Sequence, residues 1–226
     1  MKKSSEPRTI HLSDGRSVSA LLVEPLCVPL RARALFVFAH GAGAGMDHPF
    51  MHRFAVGLAA RDIATLRYQF VFMEEKTGRP DRPQTAHAVV RAAVATAAQV
   101  VPGVPLYAGG KSFGARMTSQ AQALAPLPGV HGLVFVGFPL HPAGKPSTER
   151  AAHLADVHCP MLFLQGTRDA LATLPLVVEV SDSLGERATL VELADADHAF
   201  HVRRSSGTTD DATLDRMLDA MVAWMK

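Results

Sequence analysis

Ser112 stands in Gly110-Lys111-Ser112-Phe113-Gly114, a G-x-S-x-G string. A hydroxyl is a weak nucleophile until a base takes its proton, and this spacing holds a serine on a tight strand-to-helix turn with its Oγ exposed. The turn strains the serine backbone, and a side chain two residues to either side would collide with it, so glycine is required at 110 and 114. Glycine and serine are common enough that the string arises by chance in about one chain in ten of this length, so it needs partners.

The partners follow in the chain order Ser, Asp, His. Asp169, in Gly166-Thr167-Arg168-Asp169, comes directly after an apolar run, where a carboxylate can orient an imidazole. Asp156, Asp195 and Asp197 compete with it; Asp156 precedes its run, and the other two stand so close to the candidate histidine that they are expected to shape its loop. His198, in Asp197-His198-Ala199-Phe200, is the preferred base, with His201 its rival. His40-Gly41-Ala42-Gly43 follows the strongest apolar run, and small residues there let backbone N–H groups face a substrate. The N–H groups of Ala42 and Phe113 are expected to receive the oxyanion of an acyl-transfer reaction, each worth about 3 kcal/mol of barrier.

Other constellations carry less. Gly109-Gly110-Lys111-Ser112 resembles the end of a phosphate-binding G-x-x-x-x-G-K-[ST] loop, but Pro105 occupies the first glycine position and 106–108 reads as strand. His48 and His52 have helical metal-ligand spacing but no third ligand and read as surface or capping residues, and acyl transfer by Ser112, His198 and Asp169 requires no metal or organic cofactor. Cys27 and Cys159 have neither metal-ligand nor disulfide spacing and read as inert thiols.

The elements that must position these residues are short apolar runs at 17–23, 35–39, 64–68, 106–109, 133–138, 161–165 and 189–193, most of them buried strands. Helix-forming stretches at 49–61, 84–100, 113–124, 174–184 and 208–225 alternate with them. Such alternation predicts an α/β fold with a mostly parallel sheet and helices on both faces. The segment 69–83, with Gly78, Pro80 and Pro83, is expected to be an irregular surface loop, and 139–147 leaves no space for a lid.

Composition limits the alternatives. A length of 226 residues suits one domain spanning 1–226, and 48% hydrophobic with 19% charged residues supports a large core. The net charge is +2 with the basic residues scattered, which disfavours a nucleic-acid partner. Apolar runs are far shorter than the roughly 20 residues of a membrane span, and the polar start after Met1-Lys2-Lys3 does not read as an export signal, so a cytoplasmic protein is expected, monomeric or homodimeric.

The strings themselves resemble a known family. The chain is similar over nearly its whole length to α/β-hydrolases of the dienelactone-hydrolase-like kind. Residues 40–47 (HGAGAGMD), 109–116 (GGKSFGAR) and 141–146 (HPAGKP) resemble the family shared by bacterial predicted hydrolases and testis-expressed protein 30. That family is similar to subunit 3 of the nonspecific-lethal histone acetyltransferase complex, so the resemblance also admits a catalytically silent binding or scaffold module. Retention of Ser112, Asp169 and His198 favours a serine hydrolase acting on a small carboxylic ester or thioester. Phe70, Met73, Phe138 and Leu140 are expected to line its acyl pocket, with His40 beside them holding the oxyanion loop. Arg67, Lys145 and Arg168 are candidate contacts for an anionic substrate, and Lys111 is expected to pair with a carboxylate near the turn.

Overall fold

The structure, a computed structural model, describes residues 5–25 and 32–225. Its apolar runs form one eight-stranded sheet: β1 (Glu6–His11), β2 (Ser17–Val23), β3 (Ala34–Ala39), β4 (Ile63–Tyr68), β5 (Leu106–Lys111), β6 (Val130–Val136), β7 (Met161–Gly166) and β8 (Ala188–Leu193). The spatial order is β1-β2-β4-β3-β5-β6-β7-β8. β2 pairs antiparallel with β1 and β4, and every other neighbouring pair is parallel. Helices α1 (Pro49–Ala59), α2 (Val71–Glu74), α3 (Pro83–Val100), α4 (Phe113–Leu124), α5 (Leu174–Leu184) and α6 (Asp210–Trp224) complete it. This is the mostly parallel α/β arrangement the sequence predicts.

β3 is buried along its whole length because both sheet faces are covered. Leu35 and Val37 belong to the core packed by Val89 and Val90 of α3 and Met117 of α4. Phe36 and Phe38 point the other way, into a second core with Phe54 of α1 and Met217 of α6. Each such side chain contributes about 1.5–3 kcal/mol by leaving water. Ala39 pairs with Gly110, and Gly110 with Phe135, so the strands end in line. The loops after β3, β5, β7 and β8 therefore gather at one edge of the sheet, where open α/β folds bind ligands.

Two elements go beyond the sequence reading. β1 is an edge strand with only Ile10 buried, so it carries no apolar run to detect. α2 is one turn inside the segment expected to be irregular, tied back when the Glu74 carboxylate accepts from Ser19 N and Oγ, both at 2.9 Å. The strand expected at 133–138 ends at Val136 because Gly137 turns the chain with φ of 70°. Only residues 137–148 separate β6 from a 3-10 helix at Glu149–Asp156, and no lid is inserted there. Among the described residues no helix is long and apolar enough to cross a membrane. Cys27 lies outside the described residues; Cys159 is a free, half-buried thiol whose burial pushes its pKa up and keeps it unreactive.

Candidate active site

β5 ends in the turn that carries Ser112. Ser112 has φ of 51° and ψ of −110°, a conformation L-residues avoid. Its N–H donates to Val136 O on the neighbouring strand at 3.2 Å, so the sheet maintains the strain. A Cβ at Gly110 would stand 2.6 Å from Gly114 C and 2.7 Å from Ala39 O, and one at Gly114 would stand 2.7 Å from Ala39 O and His40 O. The glycine spacing is therefore a steric requirement of the turn.

His198 Nε2 lies 2.8 Å from Ser112 Oγ, and His198 Nδ1 lies 2.7 Å from Asp169 Oδ2. Asp169 is buried, and its carboxylate also accepts from Gln165 Nε2 at 2.6 Å and from Leu171 N at 2.8 Å. With Asp169 accepting at Nδ1, the imidazole carries its proton there and leaves Nε2 free to take one from the serine. The rivals stand elsewhere. Asp197 accepts from Ala199 N and His201 N and shapes the loop, Asp156 lies in the 3-10 helix after β6, and His201 is exposed and paired with Asp210 at 2.9 Å.

Phe113 is the first residue of α4, where an N–H has no acceptor within the helix, and Ala42 borders the cavity beside Ser112. The loop carrying Ala42 is fixed by buried and half-buried polar side chains. His40 donates from Nδ1 to Gly41 O at 2.7 Å while its Nε2 accepts from Phe70 N at 3.0 Å. Gln69 Oε1 accepts from Met46 N, and Arg67 donates to Met46 O at 2.8 Å.

The profile of the family described as "Alpha/beta hydrolase domain" matches residues 32–226. The chain belongs to that family. Solved structures with low sequence identity share the fold. A serine hydrolase homologue from Coxiella burnetii is 17% identical with TM-score 0.76, covering 98% of this chain and 97% of that one. A serine hydrolase described as without a lid, from Xanthomonas campestris, is 20% identical with TM-score 0.72 over 100% and 93% of the two chains. Dienelactone hydrolase from Anabaena variabilis is 19% identical with TM-score 0.74 over 99% and 97%. No curated protein matches the sequence.

In this α/β-hydrolase the cavity at Ser112 has a volume of about 390 Å³ and is walled by Phe50 and Met51 of α1, Leu171, Ala199 and the glycine-rich loop after β3, with His48 and Lys111 at its edge. The expected lining is corrected. Phe70, Phe138 and Leu140 are buried in the core, and Met73 packs against that core beside Gly45. His40 is fully buried behind the glycine-rich loop after β3. These residues follow strand ends in sequence, but their side chains turn onto the core side of the sheet. The wall comes instead from α1, whose apolar positions look like ordinary core spacing; its cap, the His48 ring accepting from Phe50 N, was the local signal that the helix begins at the site.

Basic residues are also reassigned. Arg67 is buried and spent on Met46 O and Ser5 Oγ, Arg168 donates to Asp195 O, and Lys145 is exposed away from the cavity wall. Lys111 pairs with no carboxylate within ion-pair distance among the described residues; its Nζ donates to the main-chain oxygen of His198. Among the described residues no group of three or more His, Cys, Asp or Glu side chains is placed to hold a metal ion.

Burial pushes the His40 pKa down to about 4, so the ring is neutral in the fold. Below pH 6.5 the unfolded chain binds a proton that the folded one refuses, and stability falls as pH drops through that window toward 4. The cost reaches about 3 kcal/mol at pH 4. His153, likewise pushed to about 4 by burial, adds to the loss. Thermal unfolding between pH 7 and 4 should show a clearly smaller drop for His40→Gln than for wild type, even if the variant starts lower; an equal drop would show that His40 is not its source.

Proposed function

We propose that the chain is a serine hydrolase that cleaves a small carboxylic ester or thioester through an acyl-enzyme, with Ser112 as nucleophile, His198 as general base and acid, and Asp169 orienting the imidazole. The observation that carries this reading is the continuous Asp169–His198–Ser112 hydrogen-bonded array opening onto an apolar cavity. We read residues 1–226 as one catalytic domain of the branch that includes testis-expressed protein 30, on the strings at 40–47, 109–116 and 141–146.

In the first half-reaction His198 Nε2 takes the Ser112 proton as Oγ bonds to the carbonyl carbon, and the carbonyl oxygen becomes an anion facing the N–H groups of Ala42 and Phe113. The tetrahedral species collapses as the bond to the leaving oxygen or sulfur breaks, and the imidazolium returns its proton to that atom. Water then repeats the sequence, giving its proton to His198 as it attacks the acyl carbon. The acid leaves, and the proton goes back to Ser112. Gln165 supports this by donating to Asp169 from one end of its amide while its Oε1 accepts from Phe138 N at 3.0 Å, so the carboxylate cannot swing.

Cavity chemistry narrows the substrate. Phe50, Met51, Leu171 and Ala199 offer no charge, and the volume falls in the small-molecule range of about 300–1,000 Å³. A carboxylate on the acyl chain would be desolvated against this wall, because the basic side chains that also line it, His48 and Lys111, are already engaged with Phe50 N and the His198 carbonyl. A panel of p-nitrophenyl esters and thioesters should therefore be hydrolysed, with uncharged acyl groups exceeding carboxylate-bearing analogues of equal length by at least about tenfold in kcat/KM. A preference for the anionic analogues would overturn the apolar assignment, and silence across the whole panel would count against the hydrolase. Est1E from Butyrivibrio proteoclasticus, 17% identical, has been solved with ferulic acid bound, which supports including aromatic acyl groups.

A further inference from the structure

Lys111, the residue before the nucleophile, is half-buried beneath the loop that carries His198. Its Nζ donates to the His198 main-chain carbonyl and lies 4.8 Å from the centroid of the Phe200 ring. Phe200 is itself unusual. It has φ of 65°, a left-handed conformation that a bulky side chain rarely adopts, and its ring is buried. The same ring stacks on Phe50 of the cavity wall at 5.9 Å with an interplanar angle of 8°. Gly137 makes room for the contact: a Cβ there would stand 3.1 Å from Lys111 Nζ and 3.5 Å from Phe200 Cζ.

A desolvated ammonium and a strained phenylalanine both oppose folding. Both converge on the short irregular segment that carries His198, whose imidazole is fixed to Asp169 and Ser112 but whose main chain belongs to no helix or strand. We propose that Lys111 is a positioning residue that, together with the Phe200 ring, clamps the His198 main chain so that Nε2 stays within hydrogen-bond reach of Ser112 Oγ. The clamp ties the strand that ends in the nucleophile directly to the loop that carries the base, and through Phe50 to the cavity wall. It rests on the assignment of Ser112 and His198 as nucleophile and base.

The charged and titratable groups facing the ammonium are Asp169 from the loop after β7 and Asp197 and His198 from the loop after β8. Burial pushes the Lys111 pKa down to about 8, with Asp169 and Asp197 pulling the other way. Above that pH the neutral amine keeps a donor for the His198 carbonyl but loses the charge that strengthens this bond and the cation–π contact. Wild-type kcat should therefore decline through an alkaline limb near pH 8.

The test compares wild type with Lys111→Met and Phe200→Leu, using p-nitrophenyl butyrate, thermal unfolding and amide exchange across residues 197–201. Loss of a charge-assisted hydrogen bond predicts that Lys111→Met lowers kcat about tenfold to a hundredfold, with KM within about twofold, and removes the alkaline limb. Its Tm at pH 7 should hold or rise, because a desolvated charge has gone, while exchange at 197–201 accelerates. Phe200→Leu should lower kcat in the same direction by a smaller factor. Unchanged kcat in Lys111→Met, a loss confined to KM, or a loss that follows a falling Tm with exchange at 197–201 unaltered would overturn the clamp. If wild type hydrolyses no ester, the hydrolase reading fails separately and exchange decides alone: faster exchange at 197–201 in Lys111→Met upholds the clamp, and unaltered exchange ends it.

Discussion

Ser112→Ala is expected to reduce kcat for any ester the protein hydrolyses by about a millionfold, the scale on which a serine triad loses its nucleophile. The loss should appear in kcat with KM little changed, because the cavity wall of Phe50, Met51 and Leu171 is untouched. A residual rate of about 10³ to 10⁴ over water should survive, since the N–H groups we propose for the oxyanion, those of Ala42 and Phe113, remain. Folding should not suffer. Alanine removes only Oγ and leaves the φ of 51° to be tolerated much as before. A variant that keeps more than about a hundredth of wild-type activity, with contaminating esterases excluded by titration, would show that the reaction does not run through Ser112.

The second large effect is on stability. Gly109→Ala should prevent folding or destabilise the protein by at least about 4 kcal/mol, because the new Cβ would lie 1.9 Å from Val134 O and 2.8 Å from Val134 C on the adjacent strand. Those atoms are backbone in the middle of the sheet, so no rotamer change can yield space. β5 and β6 would have to separate just before the turn that presents Ser112. Soluble yield and the urea midpoint measure this directly. A variant with a wild-type midpoint would mean that the close approach of β5 and β6 at Gly109 is not a feature of the folded protein.

The sequence reveals the fold wherever burial on both faces imposes a continuous apolar run. β2 and α4 begin and end where their residues say, since Ser17–Val23 is bounded by Gly15 and Glu24 and α4 begins at the turn after Ser112. β1 escapes because an edge strand with one buried residue has no such run, and α2 because four residues are too few for periodicity. Within the site, the residues whose types carry chemistry are legible from spacing: a serine between glycines, an aspartate after one strand and a histidine after the last. The pocket is not. Phe70, Phe138 and Leu140 follow strand ends, but which sheet face they take is decided by turns such as the one at Gly137, whose direction no local pattern encodes. Phe50 and Met51 look like any amphipathic helix until the glycine loop after β3 is seen to open beside them. The roles of Gln165 and Lys111 are hidden for a related reason: Phe138, which holds the Gln165 amide, and His198, which accepts from Lys111, lie twenty-seven and eighty-seven residues away in sequence and become neighbours only through the sheet.

If Ser112 is a nucleophile activated by His198, a fluorophosphonate should trap it covalently. Purified wild type, Ser112→Ala and His198→Ala would be incubated with a fluorophosphonate, and the adducts read by intact mass and peptide mapping. The expected result is one phosphonyl group per wild-type chain, located on Ser112, with no adduct on Ser112→Ala and strongly slowed labelling of His198→Ala. An unlabelled wild type, or an adduct on any residue other than Ser112, would contradict the account.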